Sequence, residues 1–175
     1  METTSRLFIA LWPDQGIRDA LAQWRDNWTW PRQATPVKTD RLHVTLHFLG
    51  DVPADRLPAL AAALATPFAP FTLTLGESRL WPHGIAVLEP LAVPEPLTIL
   101  HAELGRSLQR LGMATDARPY RPHVTMARRA AGAAPATAGP PVAWQVERFA
   151  LMHSRPGAGG GYTTLHTYGT SGDIL

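Results

Sequence analysis

Two short stretches of the chain repeat one pairing of an imidazole with a hydroxyl, His43-Val44-Thr45-Leu46 and His123-Val124-Thr125-Met126. Both lie in apolar, β-branched segments, and on a strand the side chains at i and i+2 share a face. His43 is therefore expected beside Thr45, and His123 beside Thr125. A single histidine of this kind is more often a hydrogen-bonded structural residue than a catalyst. Two in matching contexts suit chemistry that needs an acid and a base together. Phosphodiester cleavage is such chemistry, because one group must activate the nucleophile while another protonates the departing oxygen. With an ordinary pKa near ~6.5, histidine holds either state around neutral pH. The two hydroxyls, with nearby arginine, can donate to the non-bridging oxygens where charge accumulates.

Neighbouring positions supply further candidates. Arg128 lies five residues after His123, an odd offset that turns it to the other face unless the strand bends or ends first. Phe48 has the same offset from His43, so a two-fold relation between the motifs predicts that both reach the cleft or neither does. In the cleft Phe48 could stack on a base; otherwise it is a core residue. His47 shares strand parity with His43 and Thr45. Its spacing from His43 would suit zinc on a helix, but the segment reads as strand and lacks the glutamate of His-Glu-x-x-His, so no metal site is expected. Tyr120, Arg121 and Tyr162 either line the cleft or serve turn and strand packing. His83, His101, His153 and His166 have no repeated context and are given structural roles.

The elements that must position these residues also repeat. Leu7–Leu11 reads as a buried strand, followed by a helix behind Pro13-Asp14 with Ile17, Leu21, Trp24 and Trp28 at helical spacing. Leu42–Leu49 is the strand of the first motif, closed by Gly50-Asp51. A short helix with Leu57, Leu60 and Leu64 follows, then an alternating strand over Phe71–Leu75. The order then starts again with a strand at Ile85–Leu88, a helix opened by Pro94-Glu95-Pro96, and the second motif. Phe8 precedes His43 by 35 residues and Ala86 precedes His123 by 37, which favours an internal duplication. Two copies imply a pseudo-two-fold pair of lobes that brings the motifs face to face. Ala130–Pro141 reads as a flexible connection without chemistry. Trp144–Met152 and Tyr162–Tyr168 read as two strands joined by the glycine-rich loop 155–161, a hairpin loop that could close over a ligand.

The 175 residues are 45% apolar and 17% charged, as expected of one globular unit spanning 1–175. Without cysteine there are no disulfides or thiolate zinc sites, and a cytoplasmic location is expected. No signal peptide or membrane span is expected. Lysine plus arginine exceeds aspartate plus glutamate only by 16 to 14, too little to argue for nucleic acid on its own. Fifteen of those cations are arginine, a bias that suits phosphate and equally reflects a GC-rich genome.

Both motifs fit the His-x-Thr/Ser-x pattern of the 2H phosphoesterases, with a hydrophobic last residue. The surroundings narrow the match: Arg6–Leu11, Leu42–Gly50, Tyr120 through Arg128, and Tyr162–Leu165 resemble the bacterial and archaeal RNA 2′,3′-cyclic phosphodiesterases, historically called 2′-5′ RNA ligases. The resemblance implies an α+β bilobal fold, with two pseudo-symmetric antiparallel-sheet lobes and outer helices around a central cleft. It implies hydrolysis of an RNA or oligonucleotide 2′,3′-cyclic phosphate to a 2′-phosphate, reversible as ATP-independent 2′-5′ ligation, with no metal and no cofactor. By position His43 corresponds to the proton donor and His123 to the proton acceptor, roles that the near-symmetric sequence alone leaves open. Arg128 matches an arginine that contacts phosphate. A monomer is expected. Competing expectations are an enzyme acting on small nucleotides, such as 2′-5′ oligonucleotides or cyclic phosphates, a non-catalytic nucleotide-binding module, and a metallo-phosphoesterase.

Overall fold

The structure, a computed structural model, describes residues 3–137, 139–157 and 159–175. Nine antiparallel strands form one curled sheet: β1 (Thr4–Leu11), β2 (Thr35–Pro36), β3 (Val44–Pro53), β4 (Phe71–Trp81), β5 (Ile85–Pro90), β6 (Val124–Arg128), β7 (Val142–Val146), β8 (Arg148–Ser154) and β9 (Tyr162–Gly169). Their spatial order is β7-β4-β5-β6-β3-β1-β8-β9, with β2 on the edge of β6. The sheet divides naturally in the middle. β3 and β6 are joined through a single residue pair, Val44 with Val124, and four strands lie on each side of that joint. One half is β3-β1-β8-β9 and the other β6-β5-β4-β7, each carrying one His-Val-Thr motif at its inner edge. The halves are interleaved in sequence, since the chain leaves the first for β4–β7 and returns for β8 and β9.

Among the described residues three α-helices cover the outside. In α1 (Gln15–Asp26) the Asp14 carboxylate caps the first turn by accepting from the Ile17 backbone N–H at 2.9 Å. The short α2 spans Leu57–Ala63 and α3 spans Glu95–Arg110. On α3, Leu97, Leu100, Leu104 and Leu108 recur every three or four residues and are fully buried. Each such leucine contributes about 1.5–3 kcal/mol of burial. The first strand is apolar on both faces for different reasons: Leu7, Ile9 and Leu11 join the main core under the helices, while Phe8 and Ala10 form a second patch with Ala150 and Met152 on the opposite, concave face.

Several expected boundaries shift. Trp28 lies beyond the end of α1 and stacks on Trp30, their rings 4.9 Å apart. Gly50-Asp51 does not close β3; Gly50 takes φ +72° at a register shift and the strand runs on to Pro53. The segment expected as one strand over Trp144–Met152 divides at Glu147 into β7 and β8, which belong to opposite halves of the sheet. The connection 130–141 is packed rather than free: Ala130, Ala133 and Ala136 are buried, and Trp24 Nε1 donates to the Pro140 carbonyl at 3.1 Å. Ala138 in that stretch and Ala158 in the glycine-rich loop lie outside the described residues.

Candidate active site

The joint at Val44 and Val124 sets the geometry of the motifs. Continuing its antiparallel register by one residue each way places His43 across from Thr125, and Thr45 across from His123. Val44 and Val124 are buried in the main core, so the flanking His43, Thr45, His123 and Thr125 turn to the opposite face. All four residues line one cleft of about 270 Å³, together with Phe8, Arg6, Arg41, Phe48, Arg128 and Tyr162.

A β-bulge explains how Phe48 and Arg128 reach this cleft at an odd offset. On β3, Thr45 and His47 oppose the consecutive residues Ala10 and Ile9, so Leu46 is an extra residue. On β6, Thr125 and Ala127 oppose the consecutive residues Val87 and Ala86, so Met126 is the extra residue. Each bulge stands three residues past its histidine and reverses the parity of the residues just after it, on β3 as far as the next register shift before Gly50. Phe48 and Arg128 return to the face of the histidines, exposed at the surface. The same reversal turns His47 away: it is 7% exposed, and its Nε2 lies 2.9 Å from the His101 carbonyl. The expected shared face of His43 and His47 is therefore corrected. Among the described residues, no group of three or more His, Cys, Asp or Glu is arranged to hold a metal ion.

Both catalytic candidates are oriented by the same contact. His43 Nδ1–H donates to the Arg41 carbonyl at 2.7 Å and His123 Nδ1–H to the Arg121 carbonyl at 2.8 Å. A carbonyl only accepts, so the proton of each neutral ring sits on Nδ1 and the lone pair on Nε2. His43 Nε2 lies 3.0 Å from Thr45 Oγ1. Around His43 the walls are aromatic: Trp12 stacks on it with centroids 5.4 Å apart, and Phe8 and Tyr162 lie at 5.1 and 5.5 Å. His123 instead rests on Trp81 at 4.3 Å, whose Nε1 donates to Glu89 at 3.1 Å. Glu89 also pairs with Arg79 and Arg121.

These surroundings favour the neutral form of both imidazoles. Burial, reinforced by His123, Arg128 and Arg18, takes His43 down to about 4. Burial also lowers His123, with Glu89 opposing the shift.

Behind β3, Tyr120, left open between cleft and packing, and His101, given a structural role, both brace the strand. Tyr120 Oη donates to the Thr45 carbonyl at 2.9 Å, and the His101 ring sits against the Leu46 backbone. His47, His101 and Tyr120 form one stack, with centroids 4.1 and 3.8 Å apart. Arg121 is drawn to Glu89 and Trp81, at the rim beside His123. Arg41, Phe8 and Trp12 were not legible as site residues. The one sequence signal for Arg41 is its position two residues before His43, which matches that of Arg121 before His123.

Residues 13–158 match the model of the 2′-5′ RNA ligase superfamily. The chain is 35% identical to the Escherichia coli K12 RNA 2′,3′-cyclic phosphodiesterase over 135 residues, covering 76% of this chain and 77% of that protein. It is also 35% identical to the Thermus thermophilus protein of the same name over 187 residues, covering 96% and 91%. Among solved structures, E. coli LigT complexed with 3′-AMP superposes with a TM-score of 0.82 at 32% identity, covering 95% of this chain and 98% of that one. A structure from T. thermophilus gives 0.75 at 33% identity, covering 96% and 99%. A duplicated His-Val-Thr strand, a mirrored bulge and a match over most of the chain converge on one assignment: the chain belongs to the 2′-5′ RNA ligase superfamily, a family of 2H phosphoesterases.

Proposed function

We propose that this protein hydrolyses RNA 2′,3′-cyclic phosphate ends to 2′-phosphates without a metal. The observation that carries the reading is the Val44–Val124 joint, beside which His43, Thr45, His123 and Thr125 line one cleft that also holds Arg128. A phosphorus centre there meets two imidazoles, two hydroxyls and a guanidinium. His123 Nε2 takes a proton from water as the water oxygen bonds to phosphorus. His43 Nε2–H gives a proton to O3′ as the P–O3′ bond breaks, leaving a 2′-phosphate and a 3′-hydroxyl. Thr45, Thr125 and Arg128 stabilise the charge on the non-bridging oxygens, and Phe48 stacks on the terminal base. A 5′-hydroxyl in place of water would give a 2′-5′ linkage by the same step, its oxygen bonding to phosphorus as the P–O3′ bond breaks.

The donor role of His43 requires substrate to bind first. Its free ring is neutral at pH 7, and an anionic phosphate beside it raises its proton affinity. Both motifs come from one chain, so the chemistry requires only a monomer, and the cysteine-free chain suits a cytoplasmic location. The test is hydrolysis of an RNA with a 2′,3′-cyclic phosphate end in the presence of chelator. Full activity is expected, with His43→Ala and His123→Ala each losing about 10²–10⁴-fold in kcat and retaining nucleotide binding. Activity abolished by chelator, or unchanged in either variant, would refute the mechanism.

A further inference from the structure

The concave face of the β3-β1-β8-β9 half carries a second cavity, larger than the catalytic cleft at about 480 Å³, that the chemistry above does not use. The two lie in sequence along the same strands. On β8, Ser154 lines the catalytic cleft and Ala150 the second cavity, four residues away, about 13 Å at strand rise. On β9, Tyr162 lines the first and Thr164 and Thr167 the second. Trp12 stands between them, lining the second cavity while its ring stacks on His43.

The linings differ in kind. The catalytic cleft presents Arg6, Arg41 and Arg128 and suits an anion. The second cavity offers hydroxyls and an amide from Thr164, Thr167 and Gln145, the indole of Trp12, and two carboxylates, Asp14 and Glu147, against one arginine, Arg148. That balance disfavours a second phosphate and suits a neutral group with hydroxyl and amino donors and a flat apolar face, which is a nucleoside. Its position identifies which one. In the hydrolysis proposed above, His43 protonates the oxygen that stays on the ribose, so the ribose and the chain attached to it lie on His43's half of the sheet. The groove runs along β8 and β9 of that half, with Trp144 and Gln145 of β7 completing its wall.

We infer that this groove binds the nucleoside preceding the terminal one, making the protein selective for oligonucleotide cyclic phosphates over mononucleoside cyclic phosphates. The inference rests on the phosphodiesterase reading and is tested separately from it. Steady-state hydrolysis of uridine 2′,3′-cyclic phosphate is compared with that of a dinucleotide ending in the same group. The expected result is a kcat/KM about tenfold higher for the dinucleotide, the size of one base–aromatic contact. Thr167→Phe, which fills the groove, abolishes that advantage and leaves mononucleotide hydrolysis unchanged; Gln145→Ala, a surface change that the fold tolerates, reduces the advantage several-fold. Equal kcat/KM for the two substrates in the unmodified protein, or a full advantage retained in both variants, would overturn the groove assignment with the phosphodiesterase reading intact. Hydrolysis of neither substrate would overturn both.

Discussion

The bulges on β3 and β6 have the same shape and different supports. Each adds one residue three positions past its histidine and turns the residue at the fifth position into the cleft. On β6 the edge away from β5 is closed by backbone: β2 pairs with it, and the Val37 N–H donates to the bulged Met126 carbonyl at 2.8 Å. Among the described residues β3 has no strand there. Its Thr45 carbonyl accepts from the Tyr120 phenol and the His101 imidazole sits against the Leu46 backbone, with His47 stacked behind. Duplicated geometry therefore does not require duplicated support. What the duplication holds constant is the bulge, and any donor that satisfies its backbone groups can hold it.

The residues delivered by the two bulges separate first. Arg128→Ala removes a charge-assisted contact to the phosphoryl oxygens and is expected to lower kcat about 100-fold. Phe48→Ala removes a stacking surface, 56% exposed, and is expected to raise KM about tenfold with kcat little changed. Steady-state kinetics on both variants check this, and a matching kcat loss in Phe48→Ala would show that position to share Arg128's role. Next come the supports. His101→Leu is expected to destabilise the protein by about 1–3 kcal/mol and Tyr120→Phe by about 1 kcal/mol, read from denaturant unfolding. In both, amide-exchange protection is lost at the β3 bulge and kept at the β6 bulge; equal loss at both would contradict independent supports.

Acid sharpens the contrast further. Burial takes His101 down to about 4 and lowers His47, so the unfolded chain binds more protons than the folded one below pH 6.5. The stabilisation from these neutral rings is complete above the ordinary histidine pKa and is lost as pH falls from there through about 4. Thermal unfolding across that window is expected to show falling stability, with β3 losing exchange protection before β6. The same trend unchanged in His101→Leu would assign it elsewhere.

Much of this site could be seen in the sequence because its signals are local. The two motifs, the helix stripe of Leu97, Leu100, Leu104 and Leu108, and the near-equal spacing of the repeats each need only a short window. The bulges could not be seen, because a strand's parity is set by its partner: nothing in Thr45-Leu46-His47 alone shows that Ala10 and Ile9 oppose its ends. The bracing role of His101 and the split of Trp144–Met152 were hidden for the same reason, as both depend on distant segments meeting at a strand edge. Trp12 reads as the end of an apolar strand until the fold places it against His43.

The shared cleft is tested most directly by a crystal structure with a nucleotide 2′-phosphate bound. The expected phosphate lies within hydrogen-bond reach of both threonine hydroxyls and of Nε2 on both His43 and His123. A phosphate held by one motif alone, with the other imidazole out of reach, would contradict it.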